Sequence, residues 1–119
     1  PYVMRAIGAW EWIFQKLEAT LADGRPWIMG QQLTLAETVS APLVKVIEMT
    51  RFIDFWLEPY PLARAWWDRL ASRPSVSLLD TFPSNAVAED SPHAVAGRKT
   101  APAFRKKLDE YRATFAHTY

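Results

Sequence analysis

The sequence contains no cysteine and little glycine, and each of these features argues against particular kinds of functional site. Without cysteine there can be no disulfide, no thiolate nucleophile and no thiolate metal site. The four glycines form neither a Gly-x-Gly-x-x-Gly turn nor a Gly-Lys-Ser/Thr loop, so a nucleotide phosphate site is not supported. Long apolar runs are also missing, because charged residues interrupt each run well short of the roughly 20 residues that span a membrane.

The N-terminus lacks the basic and then apolar pattern of a signal peptide. We therefore expect a cytoplasmic protein without a membrane partner. A formal net charge of +1 gives no strong field, so we expect no nucleic-acid partner either. Only the C-terminal stretch is locally basic, and we interpret it as a solvated helix face; its cations are Arg98, Lys99, Arg105, Lys106, Lys107 and Arg112.

Catalytic and metal-binding patterns are absent as well. His93 and His117 lie far apart, without a ligand set at metal spacing. No serine occupies a Gly-x-Ser-x-Gly elbow, and the acidic residues near position 90 do not form a pair at helical spacing. We predict neither a metal site nor a hydrolase.

Apolar residues at spacings of three and four predict a long first helix. It ends near Ala22, where Asp23 and Gly24 provide a stop signal. We expect its polar face to lie in solvent; this face comprises Arg5, Glu11, Gln15, Lys16 and Glu18. The apolar stripe comprises Val3, Ile7, Trp10, Ile13, Phe14, Leu17 and Leu21.

The segment from Gly30 to Glu37 predicts the start of a second helix. Thr34 can accept a hydrogen bond from the amide of Glu37, and the Glu37 carboxylate can reach back to the amide of Thr34, which together make a capping box. We expect this helix to run to about Met49 and to bend or restart at Pro42. Apolar residues cover most of its circumference, which predicts a nearly enclosed helix.

Helical signals continue along the rest of the chain. One helix follows Tyr60 and ends before Pro74, whereas the run 51–57 fits either a helical turn or a packed loop. The stretch 82–101 has no period and predicts an extended strap or a linker. Thr100 is expected to cap a last helix with an apolar stripe of Phe104, Leu108, Tyr111 and Phe115.

No segment alternates as a strand, so the predicted fold class is all-α, a helical bundle. We expect one domain, with residues 1–81 as its helical core and residues 82–119 as an irregular strap and a docked last helix.

Four pieces in order resemble the C-terminal helical domain of the glutathione S-transferase family. They are a helix end, the run Trp27-Ile28-Met29-Gly30, the capping box, and a final Tyr-Pro…Trp…Arg-Leu…Arg-Pro-Ser run over 60–75. The resemblance covers about residues 10 to 78. The family more often has Asp at the position of Glu37 and an aliphatic residue at that of Thr38, a change that weakens the staple with Leu33.

The resemblance implies an electrophile-side domain, which by itself carries no catalytic residue and no cofactor. The thiol of the co-substrate glutathione would be bound by a thioredoxin-like domain in the same or another chain, and the intact protein would be a homodimer. It would conjugate glutathione to a small apolar electrophile or cleave an aryl ether. The electrophile wall would include Ala41, Lys45 and Met49, with Tyr111 and Phe115 if the tail folds over the cleft. Core packing for Met49, Tyr111 and Phe115, and a solvated side chain for Lys45, stay open as alternatives.

The resemblance also implies a helix before the first one, which would cover Val3, Ile7 and Trp10. The chain begins at Pro1 without that helix, and two interpretations stay open. The chain is part of a longer transferase, or it is a free-standing protein-interaction module without catalysis.

Overall fold

The computed structural model describes residues 2–81 and 90–115, and within these ranges every regular element is a helix. The predicted all-α class is confirmed. The α-helices are α1 (Tyr2–Leu21), α2 (Leu35–Met49), α3 (Ile53–Leu57), α4 (Pro61–Ala71), α5 (Pro74–Ser77) and α6 (Pro92–Phe115), and a 3-10 helix (Leu78–Thr81) follows α5.

Helix α1 forms one side of the core through its apolar stripe. Ile7, Phe14, Leu17 and Leu21 are buried, and α3, α4 and α6 pack against the helix. The helix ends at a glycine in the left-handed region, since Gly24 has φ +89° and its amide donates to the carbonyl of Leu21 at 3.1 Å. Asp23 and Gly24 therefore act as the predicted stop signal.

The polar face predicted for α1 does not lie wholly in solvent. Glu11 is buried with an exposure of 3%. Glu18 accepts hydrogen bonds from the backbone amides of Leu62 and Ala63 at 3.1 and 2.7 Å, where α4 begins. These amides are donors that a helix start leaves unsatisfied, so Glu18 caps a neighbouring helix.

Helix α2 is continuous through Pro42, so it does not restart at this residue, and the bend expected there stays a prediction. It packs against α3, α4 and α6 through a buried face that includes Val44 and Ile47. The opposite side is exposed, and the prediction of a nearly enclosed helix is therefore also wrong for the described residues. The exposed apolar line of α2 consists of Leu35, Val39, Leu43 and Val46.

Segments of uncertain period prove to be helical. The run 51–57 supplies α3, which corresponds to the helical alternative, and the short α5 and the 3-10 helix follow α4. Helix α4 begins at Pro61 and buries Ala63, Trp66 and Leu70. The predicted helix after Tyr60 is thus present with its expected bounds.

Helix α6 begins at Pro92, earlier than predicted. Ser91 caps it, because its hydroxyl accepts a hydrogen bond from the amide of Ala94 at 3.2 Å. Thr100 lies inside the helix and donates to the carbonyl of Ala96 at 2.9 Å, so the cap predicted there is wrong. Residues 90–101 are therefore not an extended strap, and the part of the predicted strap at 82–89 lies outside the described residues.

Candidate functional site

Glu37 joins three segments of the chain at the start of α2. It is fully buried, with an exposure of 0%. Its carboxylate accepts hydrogen bonds from the amide of Thr34 at 3.0 Å, from the amide of Ile28 at 2.6 Å and from the indole N–H of Trp66 at 3.4 Å. The Thr34 hydroxyl in turn accepts from the amide of Ala36 at 3.2 Å, and the reciprocal pattern is that of a capping box.

The charge of Glu37 is stabilised by these donors. Burial by itself would raise the pKa of Glu37, but the hydrogen bonds from the amides of Thr34 and Ile28 and from Trp66 outweigh burial and hold the pKa below its ordinary value. Gly30 determines the path of the loop before this site. Its φ of +133° is a backbone conformation that favours glycine, and Gly30 and Trp27 form two backbone hydrogen bonds of 3.1 Å with each other. The Glu37 carboxylate therefore holds the surrounding backbone in place, and both of its oxygens already accept hydrogen bonds from the protein.

A second buried carboxylate fixes α6 to α1. Glu11 accepts a hydrogen bond of 2.6 Å from the hydroxyl of Tyr60 and hydrogen bonds of 3.0 and 3.1 Å from Arg112. Arg112 also donates to the carbonyls of Phe55 and Trp56 at the end of α3. Burial, and next the hydrogen bond to Glu11, raise the pKa of Tyr60. The sequence gives no sign of this cluster, because its members lie 49 and 101 residues apart.

The predicted electrophile-wall residues on α2 are all buried. Ala41 and Met49 are buried, at 4% and 7% exposure. Lys45 is also buried, and its ammonium forms ion pairs with Asp80 at 2.6 Å and with Glu48 at 3.3 Å. Lys45 is therefore not a solvated lysine, and it connects α2 to the 3-10 helix.

The predicted wall residues on α6 lie against α1. The rings of Tyr111 and Phe115 contact each other with centroids 4.8 Å apart. Both residues line an open cavity of about 590 Å³ whose other residues include Gly8 and Trp12 of α1. The structure thus brings Tyr111 and Phe115 together in a cavity whose lining does not include Ala41, Lys45 or Met49. The role of all five in an electrophile wall stays a prediction.

The structure also contains an apolar cavity beside α2 that the sequence does not predict. It lies between α1 and α2 and has a volume of about 290 Å³; we call it the α1/α2 cavity. Its lining comes from α1, from α2, from α4 and from the loop before α2, and no local sequence pattern encodes that combination. The lining residues are Trp10, Ile13, Phe14, Lys16, Leu17, Thr20, Ile28, Ser40, Leu43, Val44 and Trp66.

The surface around this cavity is apolar and free of unpaired carboxylates. On α1, Glu11 and Glu18 accept hydrogen bonds from other elements; on α2, Glu37 is buried and Glu48 pairs with Lys45. The exposed apolar line of α2 therefore has no charged member. The apolar residues of α1 differ in exposure. Ile13 is 41% exposed and Val3 59%, whereas Ile7 is only 2% exposed. The expectation that Ile7 needs an outside cover is thus wrong, while Val3 does lie exposed.

Metal binding and membrane crossing find no support in the described part of the chain. Residues 2–81 and 90–115 contain no group of three or more potential ligands that could hold a metal ion. None of the helices in these ranges combines the length and the apolarity that a transmembrane helix requires.

Comparison with known protein families gives one match. The family model of the glutathione S-transferase C-terminal domain matches residues 1–74, more than half of the chain. The chain belongs to this family. Comparison with curated proteins and with solved structures gives no match.

The matched range gives the family domain concrete limits within the fold. It contains α1 to α4 and therefore both Glu37 and the α1/α2 cavity, whereas α6 lies beyond it. Domains of this glutathione S-transferase type usually pair with a thioredoxin-like N-terminal domain. Membership of the family thus identifies the fold and the domain that usually accompanies it, and the structure identifies the apolar surfaces.

Proposed function

We propose that this chain is the electrophile-side domain of a glutathione S-transferase-like protein. A thioredoxin-like domain, in the same or another chain, binds the glutathione thiol. The intact protein conjugates that thiol to a small apolar electrophile or uses it to cleave an aryl ether. It acts as a homodimer, and the present chain supplies apolar surface and no catalytic group.

The observation that carries this proposal is the exposed apolar line of α2. Val39 is 66% exposed and Leu43 55%, on a helix whose charged residues are all buried or paired. A surface helix of a soluble domain normally turns its charges outward, so this inverted pattern fits a helix that lies between two protein layers. A docked thioredoxin-like domain would provide the second layer.

The apolar cavities beside α1 support an apolar second substrate. The cavity at Tyr111 and Phe115 is lined mainly by hydrophobic side chains, as is the α1/α2 cavity. Sites for small molecules are commonly concave and apolar with few polar groups. These surfaces suit the body of an electrophile and offer no group to activate a thiol.

A charge placed on the exposed line tests the docking step. In the protein that contains the thioredoxin-like domain, Val39→Glu should reduce glutathione conjugation by more than about tenfold, because a carboxylate would be desolvated at the interface. Ala103→Glu is the matched control, since Ala103 is exposed on α6 and away from this line. Equal conjugation rates in both variants would contradict the proposed docking face.

A free-standing interaction module is the second candidate, and the same uncharged line of α2 favours it. A permanent protein partner would cover that line without any thiol chemistry. The reading frame discriminates between the two candidates. A thioredoxin-like segment with a cis-proline ahead of Pro1 favours the transferase, and a start codon near Pro1 favours the module.

A further inference from the structure

We infer that a pocket beside Pro42 binds the C-terminal residue of a peptide chain whose last side chain is aliphatic. We call it the Pro42 pocket. It lies where α2, the loop before α2, the end of α4, α5 and the 3-10 helix meet, and its volume is about 250 Å³. Drug-sized ligands occupy about 300 to 1,000 Å³, so this pocket suits a single residue. The inference goes beyond the proposed conjugation, because the exposed apolar line of α2 contributes no residue to the lining.

The floor of the Pro42 pocket is apolar and aliphatic. Ala41, Leu70 and Val76 are buried, with exposures of 4%, 2% and 7%. The half-buried Leu33 and Leu79 complete the apolar lining. No aromatic ring lines this pocket, so a flat ligand would find no ring to stack on. A branched aliphatic side chain, in contrast, gains from the apolar area that it buries there.

Pro42 gives the pocket a backbone acceptor. Helix α2 runs through Pro42, which has no N–H, so the carbonyl of Thr38 lacks the hydrogen bond that residue 42 would otherwise donate. Thr38 and Pro42 lie one turn apart and both line the pocket, so this carbonyl lies on the pocket side of the helix. A backbone carbonyl without its helical partner can accept a hydrogen bond from the N–H of a bound peptide.

Arg73 supplies a cation in the same lining. It is exposed, and within the described part of the chain no carboxylate pairs with it. The carboxylates of the neighbouring elements are engaged elsewhere. Asp68 of α4 pairs with Arg64 at 3.4 Å, and Asp80 of the 3-10 helix pairs with Lys45 at 2.6 Å. A carboxylate on the ligand would supply the missing partner, since a guanidinium binds a carboxylate through two parallel hydrogen bonds.

The last residue of a peptide chain combines the three groups that this lining can recognise. Its aliphatic side chain would fill the floor, its amide N–H would donate to the carbonyl of Thr38, and its terminal carboxylate would accept from Arg73. An internal residue of a peptide has no carboxylate at this place. A free amino acid carries a charged ammonium instead of the amide N–H, and that charge would be costly to bring into an apolar pocket.

Four small probes test the inference on the chain as it exists. We would titrate the ¹⁵N-labelled chain with N-acetyl-glycyl-leucine, with its C-terminal amide, with its N-methyl-leucine analogue and with free leucine, and follow the backbone amide signals of Val76 and Leu79. The acid should bind about two- to fivefold more tightly than the amide, which is the range of an exposed ion pair. It should bind about two- to tenfold more tightly than the N-methyl analogue, which lacks the N–H. Free leucine should bind more weakly than the acid.

Two pairs of variants assign these preferences to residues. Arg73→Gln should remove the preference for the acid over the amide, and Arg5→Gln, at another exposed arginine, should retain it. Pro42→Ala restores the N–H that satisfies the Thr38 carbonyl, so it should remove the preference for the acid over the N-methyl analogue. This variant should stay folded, because its helix gains a hydrogen bond. Pro102→Ala changes the proline inside α6 and should retain the preference.

Several results would overturn the inference. Two of them are equal affinities of the acid and the amide, or of the acid and the N-methyl analogue, for the unmodified chain. Equal effects of the two arginine variants or of the two proline variants would overturn it as well, as would unshifted signals of Val76 and Leu79 at millimolar probe. Free leucine that binds as tightly as the acid would assign the pocket to an amino acid, and self-association that excludes the acid would assign it to a second copy; either result contradicts a chain end as the ligand.

Discussion

At the scale of single residues, Glu37 illustrates how one buried carboxylate can organise several segments. Its pairing with Thr34 is local and follows from the sequence spacing. Its bonds to Ile28 and Trp66 join the preceding loop and α4, and they span 9 and 29 residues. The spacing therefore predicts the cap, but the further partners depend on tertiary packing and cannot be predicted from it.

These further partners change the expected effect of Glu37→Gln. A capping box alone predicts a nearly silent change, because a glutamine oxygen can still accept from the Thr34 amide. In the structure both carboxylate oxygens accept hydrogen bonds, so the new amide group would face a donor. We expect Glu37→Gln to cost about 1–3 kcal/mol of unfolding free energy, and Thr34→Ala about 1 kcal/mol. Chemical denaturation of both variants measures this, and a silent Glu37→Gln would contradict the network.

The same carboxylate predicts a dependence of stability on pH. The folded-state pKa of Glu37 lies below its ordinary value of 4.5, so its contribution is present above that value. The contribution is lost as the pH falls through the lowered pKa. The difference in unfolding free energy between the unmodified chain and Glu37→Gln should therefore be constant near neutrality and shrink in acid. A difference that does not change from pH 7 to about pH 3 would be inconsistent with a lowered pKa.

At the scale of elements, α6 begins before the position that its apolar pattern predicts, for a physical reason. The residues that face the core in its first turns are small, Ala94 and Gly97, so no apolar period marks them. Pro102 lies inside the helix, where it normally signals a break. The signal that would have located the start is Ser91 followed by Pro92, a cap residue and a first-turn proline.

Gly97 is small because α6 crosses the end of α2 at this point. A Cβ atom at Gly97 would overlap the carbonyl oxygen of Thr50 and lie 2.7 Å from its carbonyl carbon. On an exposed helix Gly→Ala would stabilise by about 1 kcal/mol, but here the overlap should reverse the sign and cost about 1–3 kcal/mol. Thermal denaturation of Gly97→Ala tests this.

Gly8→Ala serves as the comparison for Gly97→Ala. Its Cβ would meet the hydroxyl end of the Tyr111 side chain at 3.0 Å, a neighbour that can move more easily than backbone. We expect a smaller loss of stability than for Gly97→Ala. A stabilised Gly97→Ala variant would show that α6 does not approach Thr50 this closely.

The docking of α6 also depends on the buried pair of Glu11 and Arg112. Arg112→Met should cost about 3–5 kcal/mol of unfolding free energy, because the buried carboxyl group of Glu11 would lose the cation that compensates its burial. Adding Glu11→Gln to this variant should recover part of the loss. Denaturant titrations measure both, and hydrogen exchange along α6 reports its release from α1.

Arg105→Met is the matched control on the same helix. Arg105 forms exposed ion pairs with Glu58 and Asp109, which water and salt screen, so its removal should cost far less unfolding free energy than the removal of Arg112. Equal losses for Arg105→Met and Arg112→Met would show that burial of the pair contributes nothing to the docking of α6.

At the scale of the whole molecule, local signals identified the fold class and the family, and tertiary contacts decided the surfaces. The apolar stripe of α1 recurs at helical spacing, and the cap at Thr34 lies at a fixed spacing from Glu37. Both features can therefore be predicted from the sequence. The burial of Glu11, the pairing of Lys45 and the α1/α2 cavity each depend on residues distant in the chain. The sequence therefore predicts which family domain carries the candidate site, but it does not predict which residues line that site.

We propose above all that this chain is the half of a glutathione-dependent protein that lacks the thiol site. A calorimetric titration of the chain alone with reduced glutathione tests it most directly. The account predicts no saturable heat at millimolar glutathione, and saturable binding for the longer protein that includes a thioredoxin-like domain. Saturable binding of glutathione to this chain alone would contradict the claim.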